Sequence, residues 1–124
     1  MKITKIKENN VEIAVINSSE VVITDVQSAL DFMVTVRYET DCDRVILNKA
    51  AIGEDFFNLK TRIAGEILQK FINYQMKIAI VGDFSVYTSQ SLKDFIYESN
   101  NGKHIFFLPN EEQAIQKMSN GKLT

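Results

Sequence analysis

Two apolar segments decide the fold of this chain: Arg44-Val45-Ile46-Leu47-Asn48 and Lys77-Ile78-Ala79-Ile80-Val81-Gly82. Neither segment alternates polar with apolar residues, which is typical of strands buried on both faces of a parallel sheet. The amphipathic stretch between them, from Asp55 to Tyr74, predicts one long helix. Because parallel neighbours need a crossover connection, the order strand, helix, strand predicts an α/β fold.

The flanking sequence extends this unit at both ends. Upstream, Ile3–Lys7 and Val11–Ile16 predict a β-hairpin that turns at Asn9 and Asn10, because asparagine tolerates positive φ. The other predicted elements are a helix over 24–37, a helix from Ser89 to about Asn100, a strand over His104–Leu108 and a helix from Asn110. We therefore expect a single α/β domain over residues 1–124, with a mixed, mainly parallel sheet of about five strands and four helices. Residues 119–124 are expected to fray.

Composition excludes several classes of function. The 124 residues include 14 Lys and Arg against 16 Asp and Glu, and the basic residues are scattered. A net charge of −2 favours neither nucleic acid nor an anionic membrane as a partner. The one cysteine, Cys42, cannot form an intrachain disulfide. Residues 1–8 lack the apolar core of a signal peptide and no segment has the roughly 18 apolar residues of a membrane span, so we expect a cytoplasmic protein.

Three segments resemble the signature of a family of small bacterial proteins catalogued as a domain of unknown function, the DUF4180 type. They are Asp55–Phe71, Ala79–Ser85 and Asp94–Asn100. The likeness extends over nearly the whole chain. It implies a bacterial protein of that family, and it implies no particular activity.

A looser similarity is to the fold of anti-sigma-factor antagonists, the STAS domains. It lies in the order of the elements and in the strand-to-helix turn after Leu47. STAS regulators of the sporulation type carry an Asp-Ser pair near that helix start, and a partner kinase phosphorylates the serine. Here the corresponding place is Asp55-Phe56, which lacks the serine. The resemblance therefore implies a STAS-like outline without the phosphorylation switch.

The rim at the carboxyl ends of the central strands is the candidate site, because ligands of parallel sheets usually bind there. The candidate ligand-binding residues are Asn48, Lys49, Asp55, Lys60, Asp83, Ser85 and Ser89. Free N–H groups at the start of the helix after Ser89 could hold an anion. The alternative is that the hydroxyl residues are helix caps and that Asp83 only ends a strand.

Lys60 is the most unusual of these residues. In the predicted long helix it falls between Phe56, Ile63, Ile67 and Phe71, in the middle of the apolar face. A cation there could bind an anionic ligand or, with a lowered pKa, transfer a proton. Alternatively, its stem packs on apolar surface while its ammonium group reaches water or a carboxylate.

Catalytic, metal and cofactor sites are not predicted. Asp41-Cys42-Asp43 places two carboxylates around a thiol, but the single histidine, His104, is distant in sequence. Neither Cys42 nor Ser85 has the neighbouring residues of a nucleophile elbow. The five glycines form neither a dinucleotide fingerprint nor a phosphate loop.

Three functions remain open at this point. The predicted helix over 55–74 has an apolar arc wider than a helix on a sheet requires, so it could contact a protein partner or a second copy, unless neighbouring helices cover it. The leading hypothesis is a non-catalytic interaction or regulatory module. The alternatives are a small anionic-ligand-binding protein or enzyme that uses the rim, and a structural homo-oligomer.

Overall fold

A computed structural model describes residues 1–120. The strands are β1 Lys2–Glu8, β2 Val11–Asn17, β3 Arg44–Asn48, β4 Lys77–Val81 and β5 Ile105–Leu108. The α-helices are α1 Val26–Thr40, α2 Ile63–Asn73, α3 Gln90–Asn100 and α4 Glu111–Asn120, and short 3-10 helices span Lys49–Ala51, Glu54–Phe57 and Leu59–Thr61. The predicted α/β fold with five strands, four helices and an N-terminal hairpin is confirmed.

The five strands lie in the sheet in the order in which they occur in the chain. β1 and β2 are antiparallel, and β2, β3, β4 and β5 are parallel to one another. The hairpin turns through Asn9 and Asn10, whose φ angles are 52° and 65°. These values match the predicted turn, because an asparagine side chain is tolerated in the left-handed region.

The sequential strand order places three helices on one face of the sheet. Each crossover connects a strand to the next one on the same side, and right-handed crossovers that all step in one direction put their helices on the same face of the sheet. Side chains of α1, α2 and α3 accordingly share one core with Leu47, Ile80 and Phe107. On the other face, Ala114 and Met118 of α4 pack on Ile13, Ile46 and Phe106. Because the strand order never reverses, the sheet has no switch point at which two crossovers would diverge and open a crevice.

The single helix predicted over Asp55–Tyr74 is wrong. The structure has two 3-10 helices there, and α2 begins only at Ile63. Asn58 accepts the backbone N–H of Lys60 (3.2 Å), and the Thr61 hydroxyl donates to the carbonyls of Asp55 and Asn58 (2.9 and 2.8 Å). Arg62 then takes a left-handed conformation with φ 67°. These local side-chain bonds compete with the helical ladder and stop it from continuing upstream.

This break moves Lys60 out of the apolar face. The residue lies in the third 3-10 helix and is exposed, so its predicted position among buried aromatic and aliphatic side chains is wrong. Phe56 and Phe57 are both buried. Of the other apolar residues that formed the predicted arc, all except Ile72 are buried or half-buried: Leu59, Ile63, Ala64, Ile67, Leu68 and Phe71. Much of the apolar surface predicted for a helix over 55–74 therefore packs within the chain, while Ile72 stays exposed; a partner or a second copy at this segment stays a prediction.

The C-terminal helix continues further than predicted. α4 extends to Asn120, and Ser119, the first residue of the tail expected to fray, is buried. Residues 121–124 of the predicted tail lie outside the described residues. Over residues 1–120, no helix combines the length and apolar character needed to cross a bilayer.

Both edges of the sheet are protected against pairing with other strands. At the β5 edge, the Asn100 side chain accepts the N–H of Phe107 (2.7 Å) and donates to the carbonyl of the same residue (3.1 Å). At Phe107, the side-chain amide of Asn100 thus makes the two backbone hydrogen bonds that a neighbouring strand would otherwise make. The opposite edge, β1, carries the charged residues Lys2, Lys5, Lys7 and Glu8. Charge and edge covering both discourage aggregation.

The Asn100 contact predicts the effect of removing its side chain. Asn100→Ala should lower the free energy of unfolding by about 1–3 kcal/mol, because two backbone groups of Phe107 lose their partner. The variant should also scatter more light than the wild type on storage. Chemical denaturation and light scattering measure these effects. Asn101→Ala is the matched control, since its amide makes one exposed bond, to the Tyr97 carbonyl. Equal losses in the two variants would contradict the edge-covering role.

Candidate functional site

The carboxyl ends of β3 and β4 meet at the predicted rim and border an open cleft of about 580 Å³. Asn48, Lys49 and Asp83 line this cleft, together with Glu54 and the exposed Val86. The rim residues are therefore partly brought together, as the parallel strands require. The cleft is shallow because the sheet has no switch point above it.

Two other candidates lie in a separate groove. Lys60 and Ser89 border a space of about 620 Å³ beside Phe57 and Ser91. Ser89 is the N-cap of α3, where its hydroxyl accepts the N–H of Leu92 at 3.3 Å. This is the capping role that the sequence offered as the alternative to ligand binding. Asp55 is exposed in the second 3-10 helix.

Asn48 has a structural task at the end of β3. Its Oδ1 accepts the N–H of Ser18 at 2.9 Å, and its Nδ2 donates to the carbonyl of Ser18 at 2.7 Å. The side chain thereby extends the contact between β2 and β3 beyond their last paired residues. Both ends of the amide are engaged within the chain, which ties the loop after β2 to the rim.

Lys49 lies in an aromatic and acidic enclosure. Its Nζ is 3.8 Å from Glu54 Oε1, 4.9 Å from the ring centre of Tyr87 and 5.6 Å from that of Phe57. The Tyr87 hydroxyl donates to the Glu54 carboxylate at 3.1 Å. Tyr87 stacks on Phe57 with ring centres 5.0 Å apart. A cation over two ring faces and beside a carboxylate is held by cation–π and ionic attraction together.

The protonation states of Lys49 and Tyr87 do not suit a general base. Interaction with the Tyr87 hydroxyl raises the pKa of Lys49 above its usual 10.5; partial burial opposes the rise, and Glu54 and Asp83 add to it. Burial raises the pKa of Tyr87, while Lys49 acts against that rise. At neutral pH the lysine is therefore a cation and the tyrosine a neutral phenol. Neither side chain is tuned toward general-base chemistry.

Asp83 and Ser85 form a local turn after β4. Asp83 Oδ1 accepts the Ser85 hydroxyl at 2.6 Å and the Ser85 N–H at 2.9 Å. These two bonds, the hydroxyl first, lower the pKa of Asp83, and the charge of Lys49 contributes. The carboxylate is ionised at neutral pH. In the cleft, one cation, Lys49, therefore faces two carboxylates, Glu54 and Asp83, and this balance does not favour an anionic ligand.

Glu54 and Tyr87 complete the Lys49 enclosure; both lie in the predicted rim loops, 48–55 and 82–89, but sequence reasoning did not select them as candidates. Tyr87 lies only four residues beyond Asp83, and Phe84 lies between them. Two aromatic residues in a loop that follows a buried strand are a signal that the loop folds back onto the core. Phe84 and Tyr87 both pack on Phe57, which bears out that signal.

The residues considered for metal or nucleophilic chemistry are not assembled. Cys42 is buried, and its Sγ lies 3.6 Å from the Thr40 carbonyl. His104 is half-buried just before β5, on a groove formed with Leu68, Ile72 and Phe95. Over residues 1–120, no group of three or more His, Cys, Asp and Glu side chains is arranged to hold a metal ion.

A second surface lies on the outer side of α1. Val34 is 67% exposed, Tyr38 is 90% exposed and Tyr74, just after α2, is 52% exposed. Leu30, Val34 and Tyr74 border a groove of about 110 Å³ between the two helices. Arg37 closes one end by donating to the Tyr74 carbonyl at 2.5 Å. We define Leu30, Val34, Arg37, Tyr38 and Tyr74 as the α1 surface.

Two glycines predict opposite effects of substitution by alanine. A Cβ at Gly82 would lie 2.5 Å from the Cβ of Lys49, whereas a Cβ at Gly65 in α2 would meet nothing within 4 Å. Gly82→Ala should lower the free energy of unfolding by about 1–3 kcal/mol, because Lys49 must leave its enclosure. Gly65→Ala should raise it by about 0.5–1 kcal/mol through helix propensity. Chemical denaturation of both variants measures the two effects. Equal changes of the same sign would refute the close packing of Lys49 on β4.

His104 predicts a pH dependence of stability. Burial, and then the charges of Lys77 and Lys103, lower the pKa of His104 below its usual 6.5, and its buried Nδ1 has no hydrogen-bond partner. The unfolded chain therefore binds a proton more readily than the native chain, so the free energy of unfolding should fall as the pH drops from about 7.5 to about 5.5. His104→Phe should flatten this dependence. Denaturation of both proteins at each pH is the measurement, and parallel curves would exclude His104 as the cause.

Comparison with known proteins identifies the family. No curated protein and no solved structure matches this chain. The model of one family, the domain of unknown function DUF4180, matches residues 8–118. This range contains all three segments that carried the resemblance, together with β2, both central strands of the sheet and the α1 surface. The chain therefore belongs to the DUF4180 family.

Proposed function

We propose that this protein is a non-catalytic interaction module whose binding surface is the α1 surface. The observation that carries the proposal is the exposure of Val34 and Tyr74 beside one groove, with the exposed Tyr38 one helical turn beyond Val34 on α1. Grouped exposed apolar residues mark interaction sites more often than scattered ones do. Tyrosine and arginine are also the residue types most enriched in energetically important parts of interfaces.

The internal contacts of the polar side chains at the rim support the same proposal. Asn48 is bonded to Ser18, Lys49 is enclosed by Glu54 and Tyr87, and Asp83 is bonded to Ser85. These contacts satisfy the polar groups that a substrate would otherwise engage. A catalytic site usually presents such groups to a pocket with shifted pKa values that suit the reaction.

We infer the cellular location of this module from its charge and its cysteine content. A net charge of −2 and a single buried thiol suit a protein of the bacterial cytoplasm. The STAS-like outline, a compact sheet with helices on its faces and no phosphorylatable serine at Asp55-Phe56, suits a regulator that acts by docking. Docking, and not phosphorylation at that turn, would then carry its regulatory effect.

Ligand binding at the rim is the second candidate. The open cleft of about 580 Å³ beside Lys49 and Asp83 favours it. The excess of carboxylates over cations there would suit a ligand that carries a positive group. Lys60 and Ser89 belong to the neighbouring groove and would contribute to a second subsite.

Site-specific photo-crosslinking tests the interaction proposal. A photoreactive phenylalanine analogue is placed at Tyr38 in cells that naturally produce the protein, and crosslinked products are resolved by mass. The matched control places the same analogue at Tyr97 of α3, a tyrosine that is 71% exposed. We expect defined crosslinked products from position 38 and only background from position 97. Equal yields at the two positions would overturn the assignment of the α1 surface.

A further inference from the structure

We propose that the α1 surface binds a second copy of this chain, with the two α1 helices antiparallel and Val34 of each copy at the centre. This inference deepens the proposed function and rests on it, because it names the occupant of the same surface. A two-fold dimer uses one patch twice, so the patch must be complementary to itself. The sequence of α1 is complementary to itself in this sense, because matching residues lie at equal distances before and after Val34.

The apolar side chains are arranged evenly about the centre. Leu30 precedes Val34 by four residues and Tyr38 follows it by four. Side chains four residues apart lie on the same side of a helix, so the three form one stripe along α1, in which Leu30 is half-buried and Val34 and Tyr38 are exposed. An antiparallel copy brings Tyr38 to the level of Leu30 of the other helix and sets the two Val34 side chains against each other. The apolar stripe is then covered along its length.

Two charged side chains of opposite sign lie at equal distances on either side of Val34. Asp31 lies three residues before Val34 and Arg37 three residues after it, and both are exposed. In an antiparallel pair, Asp31 comes to the level of Arg37 and next to Tyr38 of the second copy, whose hydroxyl can donate to the carboxylate. A parallel pair would instead place like charges at the same level and align the two helix dipoles unfavourably.

Both charged groups retain bonding capacity for a second copy. Asp31 uses Oδ1 to accept the side-chain amide of Gln27 at 3.0 Å, which leaves its second oxygen available. Arg37 uses one of its five N–H groups on the Tyr74 carbonyl. That bond holds the guanidinium at the edge of the α1 surface. The dimer would therefore reuse side chains that the monomer has already positioned.

The size of the surface sets the strength of the association. α1 has 15 residues, which is roughly 22 Å of helix at about 1.5 Å per residue. One helix of this length and the adjoining Tyr74 cover less than the roughly 800 Å² that each partner of a standard stable interface buries. The dimer is accordingly reversible, and its population rises with concentration.

Sedimentation of the purified full chain over a range of concentrations tests the proposal. We expect a reversible monomer–dimer equilibrium. Val34→Asp should weaken dimerisation by roughly tenfold or more, because two carboxylates would meet at the centre of the interface. The exposure of Val34 means that this variant should keep the melting temperature of the wild type. A monomer at every concentration, or a dimer unaffected by Val34→Asp, would overturn the proposal.

Charge reversal tests the antiparallel arrangement. Asp31→Arg and Arg37→Asp should each weaken dimerisation, and an equimolar mixture of the two should restore it, because both contacts between unlike copies then join opposite charges. Asp94→Arg is the matched control, since Asp94 accepts the amide of Gln90 on α3 just as Asp31 accepts that of Gln27. This control should dimerise like the wild type. Failure of the mixture to recover would exclude the antiparallel pair.

The two proposals fail in different ways. If position 38 crosslinks a different protein in cells while the pure chain stays monomeric, the interaction module stands and the second copy is rejected. If position 38 gives no more crosslinks than position 97 and the pure chain is monomeric, both proposals are rejected.

Discussion

The handedness of the crossovers, combined with a strand order that always advances in one direction, is the constraint on which the rest of the structure depends. A right-handed connection from each parallel strand to the next returns the chain over one face of the sheet. α1, α2 and α3 are therefore all placed on that face, and β1 is left at one edge and β5 at the other. The opposite face is covered only when α4 follows the last strand.

The same constraint explains why the rim is built from internal contacts. A doubly wound sheet opens a crevice where its strand order reverses, and a ligand can enter there. Here the loops after β3 and β4 follow neighbouring strands on the same side, so they pack against each other. Gly82 allows the stem of Lys49 to lie directly on the end of β4, and Tyr87 covers the ammonium group. The carboxyl rim is thus stabilised by its own polar side chains.

The location of the α1 surface follows from the sheet as well. α1 makes the first crossover and packs against α2 on one side, while its outer side faces away from the core. The buried positions Phe32, Met33 and Val36 anchor it, which leaves Val34 and Tyr38 on the outer side. Apolar residues at such exposed positions are available to contact another polypeptide, and that is the role we propose for them.

The elements whose signals are local could be predicted from residues alone. Unbroken apolar runs identified β3 and β4, the Asn9-Asn10 pair identified the hairpin turn, and Asn100-Asn101-Gly102 marked the end of α3. Each signal depends on a few neighbouring residues and on a backbone preference that acts over one turn. The helix over 55–74 could not be predicted correctly, because its apolar spacing outweighs the weaker signals of Asn58 and Thr61. Those two side chains break it by bonding to the backbone of nearby residues: Asn58 to Lys60, and Thr61 to Asp55 and Asn58.

The sequence by itself therefore determined the fold class, the order of elements and three of the residues that line the cleft at the rim, Asn48, Lys49 and Asp83. Only the tertiary structure decided what those residues do. Asn48 bonds to Ser18, 30 positions away, and Tyr87 bonds to Glu54, 33 positions away. Asn100 covers an edge that exists only once β5 has joined the sheet. Contacts between distant parts of the chain leave no periodic trace in the sequence, because they depend on which loops the sheet brings together.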